Sequence, residues 1–105
     1  MPGETVYIVD DDEAVLDSLS GLLSSMDYIT APFSSAREFL EHYKAERLGC
    51  LLLDLRMPEM TGLELLKQLR DNQSTLPVII ITAYGDIPSA VRAMQLGAYD
   101  QAAWP

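Results

Sequence analysis

Short apolar runs alternate along the chain with segments in which apolar residues recur every three or four positions. The β-branched and aromatic run Thr5–Val9 predicts a buried strand that ends at three aspartates. From Glu13 the spacing becomes that of an amphipathic helix, and the acidic residues before it stand where the positive end of a helix dipole favours them. The apolar stripe of this helix comprises Val15, Leu16, Leu19, Leu22, Leu23 and Met26.

The next elements repeat this order. Residues 28–31 predict a second strand that ends at Pro32, and Ser34 or Ser35 can cap the helix that follows. That helix presents an apolar face of Ala36, Phe39, Leu40 and Tyr43. Residues 50–53 form a continuous apolar run, which is typical of a central parallel strand covered on both faces.

The second half of the chain continues the pattern. Thr61 and Gly62 precede a helix whose apolar positions are Leu63, Leu65, Leu66 and Leu69. Residues 77–82 predict a strand, residues 87–96 predict another helix, and a last short strand begins at Ala98. Strands that alternate with helices in this way imply right-handed crossovers and an α/β fold, a flavodoxin-like doubly wound parallel sheet.

Length and charge narrow the classes of function. With 105 residues, 49% of them hydrophobic, the chain is long enough for one domain with a buried core. The net charge is −9 and the 7 Lys and Arg residues are scattered singly, which argues against direct nucleic-acid binding. No apolar run reaches the ~18 residues of a membrane span, and one cysteine, Cys50, fits a reducing compartment. We therefore expect a cytoplasmic domain with no membrane partner.

Acidic side chains stand at the predicted carboxyl ends of two strands. Asp10, Asp11 and Asp12 follow the first strand, Asp54 follows the third, and Thr82 ends the fourth. In doubly wound sheets, ligands bind at this edge. Gathered carboxylates repel one another unless a cation is supplied, and hard oxygen ligands favour Mg²⁺. One carboxylate would remain free to attack a phosphoryl group, although the first three acids, taken alone, are equally explained as the acidic start of a helix.

Four motifs at these strand ends resemble the motifs of a known protein family. They are Val9-Asp10-Asp11, the segment from Leu53 to Gly62, Ile81-Thr82-Ala83 and Gly97-Ala98-Tyr99-Asp100. In this order, over nearly the whole chain, they resemble the receiver domain of bacterial two-component response regulators. The details are most similar to receivers of the nitrogen-fixation-regulator type, which carry a C-terminal helix-turn-helix DNA-binding domain in addition to the receiver.

The resemblance implies a role for five residues. Asp54 would be the phosphoacceptor, and Asp11 and Asp54 would bind Mg²⁺ directly together with the backbone carbonyl of Arg56. Asp10 would assist through a water molecule. Thr82 would be the switch hydroxyl that moves toward the phosphoryl group.

Several features depart from the family pattern. Asp12 is an extra acid, because the family needs only two after the first strand. Where family receivers have a lysine before a proline at the end of the fifth strand, this chain has Trp104, and where they usually have an aromatic residue three positions earlier it has Gln101. An indole carries no charge, so the positive charge of the lysine ammonium group is missing from the site. Residues 101–104 also lack apolar alternation, so we expect an atypical fifth strand.

The family would add a fifth helix beyond Pro105. Residues 1–105 are therefore expected to form a receiver domain that is incomplete at its C-terminus. One face of the sheet would then stay open, which favours a homodimer or an oligomer in which copies exchange a segment.

Two functions from different classes fit these features. The first is a receiver that takes a phosphoryl group from a sensor histidine kinase onto Asp54 with Mg²⁺ and controls a downstream, transcriptional output. Such a domain is not an enzyme beyond catalysing its own phosphorylation and dephosphorylation. The second is a degenerate receiver, a phosphorylation-independent interaction or dimerisation module, because Trp104 and Gln101 alter the charge and the coupling.

Overall fold

Strands and helices alternate in the order that the sequence predicts. The computed structural model describes residues 5–43, 49–83, 95 and 100–104. The elements are β1 (Thr5–Val9), α1 (Glu13–Ser25), β2 (Ile29–Phe33), α2 (Ala36–His42), β3 (Gly49–Asp54), α3 (Gly62–Asp71), β4 (Val78–Ala83) and β5 (Asp100–Trp104). The helix predicted over residues 87–96 lies almost entirely outside the described residues. None of the described helices has the length and apolar character needed to cross a bilayer.

The strands form one parallel sheet with the order β2-β1-β3-β4-β5. The chain moves outward from β1 to β2 and then returns to β3 on the other side of β1, so the direction of winding reverses between β1 and β3. The prediction of a flavodoxin-like doubly wound α/β fold is confirmed. Its ligand-binding edge is expected where β1 and β3 end, because ligands bind at such reversal points.

Helices α2 and α3 cover one face of the sheet and build the larger core. Phe39 of α2 is fully buried there, in one cluster with Leu53 of β3 and Ile80 of β4. The ring of Tyr7 meets Phe39 edge-on at a centroid distance of 5.5 Å, and the ring of Tyr43 stacks on Phe39 at 5.1 Å. This dense packing fixes the strands whose ends carry the acidic residues.

Helix α1 covers part of the opposite face. Leu16 and Leu19 of α1 pack in one cluster with Ile8 of β1 and Ile81 of β4, whereas Leu52 of β3 is only half-buried. The expectation of an open face is therefore wrong for the sheet around β1, because α1 supplies a second core. That residues 1–105 are a receiver incomplete at the C-terminus stays a prediction.

Two local predictions are wrong. Strand β2 does not end at Pro32 but continues to Phe33, because β2 is an edge strand and a proline, which has no N–H to donate, is tolerated there. Leu22 and Met26 belong to the predicted apolar stripe of α1, yet they are 55% and 57% exposed. Leu22 is turned about 120° around the helix from Leu16, which packs against the sheet. Met26 is the C-cap and so follows the last helical residue of α1.

The fifth strand forms an ordinary backbone pairing despite its side chains. Residues Asp100–Trp104 pair in parallel with β4, with Ala103 opposite Thr82 and Trp104 opposite Ala83. Strands pair through backbone N–H and C=O groups, which these residues carry whatever their side-chain pattern. The missing apolar alternation is therefore no obstacle to an edge strand. The predicted start at Ala98 lies outside the described residues.

Candidate metal and phosphoryl site

The ends of β1 and β3 bring two aspartates side by side. Val9 pairs with Leu53 in the parallel register, so Asp10 follows β1 at the level of Asp54, the last residue of β3. The backbone N–H of Asp10 donates to the carbonyl of Phe33 at 3.2 Å, which holds the chain against β2 for one residue beyond β1. Both aspartates therefore lie at the edge where the winding of the sheet reverses.

Asp11 completes a group of three carboxylates. One carboxylate oxygen from each of Asp10, Asp11 and Asp54 lies within 4.8 Å of the other two. Asp10 is buried, Asp54 is half-buried and Asp11 is exposed. The group is therefore held inside the protein at one end and reached from solvent at the other.

Burial and mutual repulsion raise the pKa values of two of these acids. Burial is the largest cause for Asp10, and the charges of Asp11 and Asp12 raise its pKa further, while a hydrogen bond from the backbone N–H of Asp12 lowers it. The pKa of Asp54 rises from 3.8 to about 6, first through burial and then through the charge of Asp10, against a hydrogen bond from the N–H of Arg56. A nearby cation would lower the pKa values of both Asp10 and Asp54, because it favours their ionised forms.

This set of donors suits a hard divalent cation. Oxygens that share one octahedral Mg²⁺ at ~2.1 Å are about 3 to 4 Å apart. The three carboxylate oxygens, within 4.8 Å of one another, need only a small closing movement of their side chains to reach that spacing. Burial first, and then the charges of neighbouring carboxylates, raise the pKa values of Asp10 and Asp54, and a bound cation would favour their ionised forms. The residues present therefore fit Mg²⁺.

Asp12, the acid for which the sequence offered no role, is the N-cap of α1. Its side chain accepts the backbone N–H of Ala14 at 2.9 Å, and its own backbone N–H donates to a carboxylate oxygen of Asp10 at 2.9 Å. It is exposed and lies outside the group of three carboxylates. An aspartate directly before a helix that begins at Glu13 is a preferred N-cap, so the sequence held a signal for this role.

The start of α3 packs directly behind Asp54. A capping box holds this start, since the Thr61 hydroxyl accepts the N–H of Glu64 at 3.2 Å and the Glu64 side chain accepts the N–H of Thr61 at 3.4 Å. Gly62 lies so close that an added Cβ would be 2.2 Å from the carbonyl oxygen of Asp54. The spacing of Thr61 and Glu64 could have revealed the capping box, whereas the close approach of Gly62 depends on how α3 packs on β3.

An open groove of about 500 Å³ adjoins Asp11. Its lining residues are Asp11, Leu55, Arg56, Met57, Pro58, Thr61 and Leu63. The backbone N–H of Arg56 donates to a carboxylate oxygen of Asp54 at 3.2 Å, which ties the wall of the groove to the acidic group. The groove therefore opens onto the side of the acidic group where Asp11 lies.

The backbone of β4 and β5 brings further predicted residues toward this edge. Thr82 follows the residue that pairs with Asp54, and Trp104 ends β5 opposite Ala83. Gln101 is the second residue of β5. The side chains of these three predicted residues lie outside what the structure describes. Their roles therefore stay predictions.

Comparison with known proteins identifies the family to which this chain belongs. Residues 6–103 match the response regulator receiver domain. The chain belongs to this family. Receiver domains are in general signalling modules. The matched range includes Asp10, Asp11 and Asp54, so the acidic edge lies within the receiver domain itself.

Relatives and solved structures agree with the predicted resemblance to nitrogen-fixation regulators. Response regulator protein TodT of Pseudomonas putida is 47% identical over 95 residues, which cover 90% of this chain and 42% of TodT. Transcriptional regulatory protein FixJ of Bradyrhizobium diazoefficiens is 44% identical over 95 residues, which cover 90% of this chain and 46% of FixJ. The crystal structure of FixJ-N matches with a TM-score of 0.93 at 44% identity, over 100% of this chain and 84% of that one. The chain thus spans less than half the length of TodT and FixJ.

Proposed function

We propose that this receiver domain accepts a phosphoryl group on Asp54, with Mg²⁺, from a sensor histidine kinase. The observation that carries the proposal is the group of Asp10, Asp11 and Asp54 at the reversal edge of a receiver fold. The output is transcriptional in this proposal, because relatives include a transcriptional regulatory protein. The domain works in the cytoplasm and does not itself bind nucleic acid, consistent with its net charge of −9.

Asp54 is the nucleophile. One of its carboxylate oxygens accepts the N–H of Arg56 at 3.2 Å, which orients the group, and the other oxygen is the attacking atom in this proposal. A pKa of about 6 keeps the carboxylate largely ionised at neutral pH. This second oxygen forms a bond to phosphorus, the P–N bond of the phosphohistidine breaks, and the imidazole nitrogen keeps the electron pair. The product is an acyl phosphate on Asp54.

Three groups would hold the metal ion directly in this proposal, and a fourth would act through water. Asp11 and Asp54 bind Mg²⁺ directly with the backbone carbonyl of Arg56, and Asp10 contributes through a water molecule. When bound, Mg²⁺ supplies positive charge that a phosphoryl oxygen can coordinate. Thr82 then donates its hydroxyl hydrogen bond to the phosphoryl group, as the switch residue. The separation of the three carboxylates and the raised pKa values support this assignment.

The test is incubation with acetyl phosphate and Mg²⁺, followed by intact-mass measurement. We expect the wild type to gain one phosphoryl group, and Asp54→Asn or removal of Mg²⁺ by a chelator to abolish the gain. Asp17→Asn, which removes an exposed acid from α1, is the matched control and should be modified like the wild type. No gain in the wild type under conditions that modify a FixJ receiver would contradict the proposal.

Trp104 favours a second candidate, a degenerate receiver that acts as a phosphorylation-independent interaction module. It stands where family receivers have a lysine, so the positive charge at the end of β5 is absent there. The two candidates predict different results for Trp104→Lys. If Asp54 accepts a phosphoryl group slowly in the wild type, the lysine should speed the mass gain. If neither protein is modified, the degenerate receiver is favoured.

Self-association is the third part of the proposal. Leu22 of α1 and Met26, the C-cap of α1, are exposed and Leu52 of β3 is half-buried, so apolar surface remains on the α1 side of the molecule. A homodimer, or an oligomer in which copies exchange a segment, would cover it. Sedimentation velocity over a dilution series tests this. A single monomeric species at every concentration would contradict it.

A further inference from the structure

Asp12 joins the acidic group to helix α1 through three hydrogen bonds. Its backbone N–H donates to a carboxylate oxygen of Asp10 at 2.9 Å. Its side chain accepts the N–H of Ala14 at 2.9 Å, and its carbonyl accepts the N–H of Leu16 at 3.1 Å. Residue 12 is therefore tied to the metal-binding edge on one side and to the first turn of α1 on the other.

The capping bond determines where the N–H of residue 12 points. The N-cap conformation, with φ −92° and ψ 110°, is extended rather than helical. Without a capping side chain, this residue loses one of the three bonds that hold that conformation, and the direction of its N–H is less firmly fixed. Asp10 depends on this donor, because it is only 6% exposed and a buried carboxylate that loses a hydrogen-bond donor is costly.

We propose that Asp12 is a positioning residue of the metal site. Its capping side chain keeps its own N–H aimed at Asp10, and this bond holds Asp10 in the orientation that places its oxygen near those of Asp11 and Asp54. The proposal rests on the proposed function as far as Mg²⁺ is concerned. Groups that orient metal-binding side chains in this way typically change metal affinity by about tenfold or more.

Charge alone is the competing explanation, and two neutral variants separate it from positioning. Asp12→Asn and Asp12→Ala remove the same charge, but asparagine caps a helix as well as aspartate does, whereas alanine cannot. Any difference between them therefore reports the cap. Ser35→Ala is the matched control, because Ser35 caps α2 by accepting the N–H of Glu38 at 3.1 Å and makes no bond to the acidic group.

The experiment measures Mg²⁺ affinity by calorimetric titration of the four proteins at one pH. We expect Asp12→Ala to bind Mg²⁺ about tenfold more weakly than Asp12→Asn, and Ser35→Ala to bind like the wild type. Equal affinities of the two Asp12 variants would overturn the proposal in favour of charge. A loss in Ser35→Ala as large as that in Asp12→Ala would overturn it in favour of general destabilisation.

A second readout needs no metal. Amide hydrogen exchange of residue 12, followed by NMR, should stay slow in Asp12→Asn and become several-fold faster in Asp12→Ala, because the bond to Asp10 opens more often. Equal exchange rates would count against positioning. If the wild type binds no Mg²⁺, the proposed function fails, and this measurement decides about Asp12 by itself.

Discussion

Two neighbouring regions of the molecule, the acidic edge and the core beneath α2 and α3, use burial in opposite ways. In β3 they are one residue apart, since Leu53 is fully buried in the core and Asp54 is half-buried at the edge. Burial of Leu53 stabilises the fold by removing apolar surface from water. Burial of Asp54 raises its pKa to about 6 and so opposes folding at neutral pH.

The difference shows how the core supports the site. The acidic edge holds three carboxylates together although they repel one another, and only a rigid support can keep them there. Phe39, Leu53 and Ile80 supply that support from directly below the strand ends. Burial in the core therefore stabilises the fold, while the carboxylates at the edge repel one another and a cation would reduce that repulsion.

Truncation of the core should have the largest effect. Leu53→Ala is expected to lower the free energy of unfolding by about 3 kcal/mol, because it removes a fully buried side chain and leaves a cavity. Urea denaturation measures this loss. Leu22→Ala, at a position that is 55% exposed, is the control and should change stability by less than about 0.5 kcal/mol. Similar losses for both leucines would mean that the core does not support the fold as described.

A methyl group added where α3 contacts the end of β3 should cause the second-largest loss of stability. Gly62→Ala places a Cβ 2.2 Å from the carbonyl oxygen of Asp54, so α3 must move away from β3. We expect a loss of about 2 kcal/mol in unfolding free energy and slower phosphorylation of Asp54. Gly21→Ala is the matched control, since nothing lies within 4 Å of its added Cβ, and alanine there should stabilise α1 by up to about 1 kcal/mol.

Removal of a charge from the acidic edge should raise the stability of the fold, whereas truncation of the core lowers it. The pKa of Asp54 is higher in the folded protein, about 6, than its ordinary value of 3.8, so the folded state binds more protons between these values. The contribution of Asp54 to stability therefore falls as pH rises from about 4 to 6. After allowance for solvent screening, we expect Asp54→Asn without Mg²⁺ to be about 1 kcal/mol more stable than the wild type at pH 7, and no more stable near pH 3.

Thermal unfolding with and without Mg²⁺ checks this prediction. In the wild type Mg²⁺ should raise the unfolding temperature, because it binds the folded state and offsets the charge of Asp54. In Asp54→Asn the rise should be much smaller. A variant that is less stable than the wild type at pH 7 would show that the charge of Asp54 is already balanced without a cation.

Two tyrosines of the core give the smallest effect and the finest comparison. The buried hydroxyl of Tyr7 has no hydrogen-bond partner among the described residues, whereas the hydroxyl of Tyr43 lies 3.2 Å from that of Ser74. Tyr7→Phe should therefore raise the free energy of unfolding by about 1 kcal/mol, and Tyr43→Phe should lower it by about 0.5 to 1 kcal/mol. Changes of the same sign in chemical denaturation would contradict this account of the two hydroxyls.

Much of the fold could be predicted because its signals are local. The change from the apolar run of β1 to the helical spacing that begins at Glu13 predicts both elements, and the structure has α1 begin at that residue. The continuous run in β3 indicates a strand covered on both faces. Pro32 misled the prediction because its tolerance depends on a neighbour: it is accepted only because β2 lies at the edge of the sheet.

The sequence predicted which carboxylates lie at the acidic edge better than it predicted the residues that hold them in place. Asp10, Asp11 and Asp54 stand at strand ends that any doubly wound sheet brings together. Asp12 stands beside them in the sequence at a preferred N-cap position, and the hydrogen bonds of residue 12 show that it caps α1. Gly62 gave no sign of its contact with Asp54, because that contact joins two elements across the core.

The sequence by itself thus determined the order of strands and helices, the α/β class and the acids available at one edge. Hydrophobic periodicity and residue type suffice for these because they depend on neighbours along the chain. The tertiary structure decided which acids meet, which of them lose contact with water, and whether an atypical segment such as Asp100–Trp104 pairs. These outcomes depend on packing and backbone hydrogen bonds between distant residues, which no local pattern encodes.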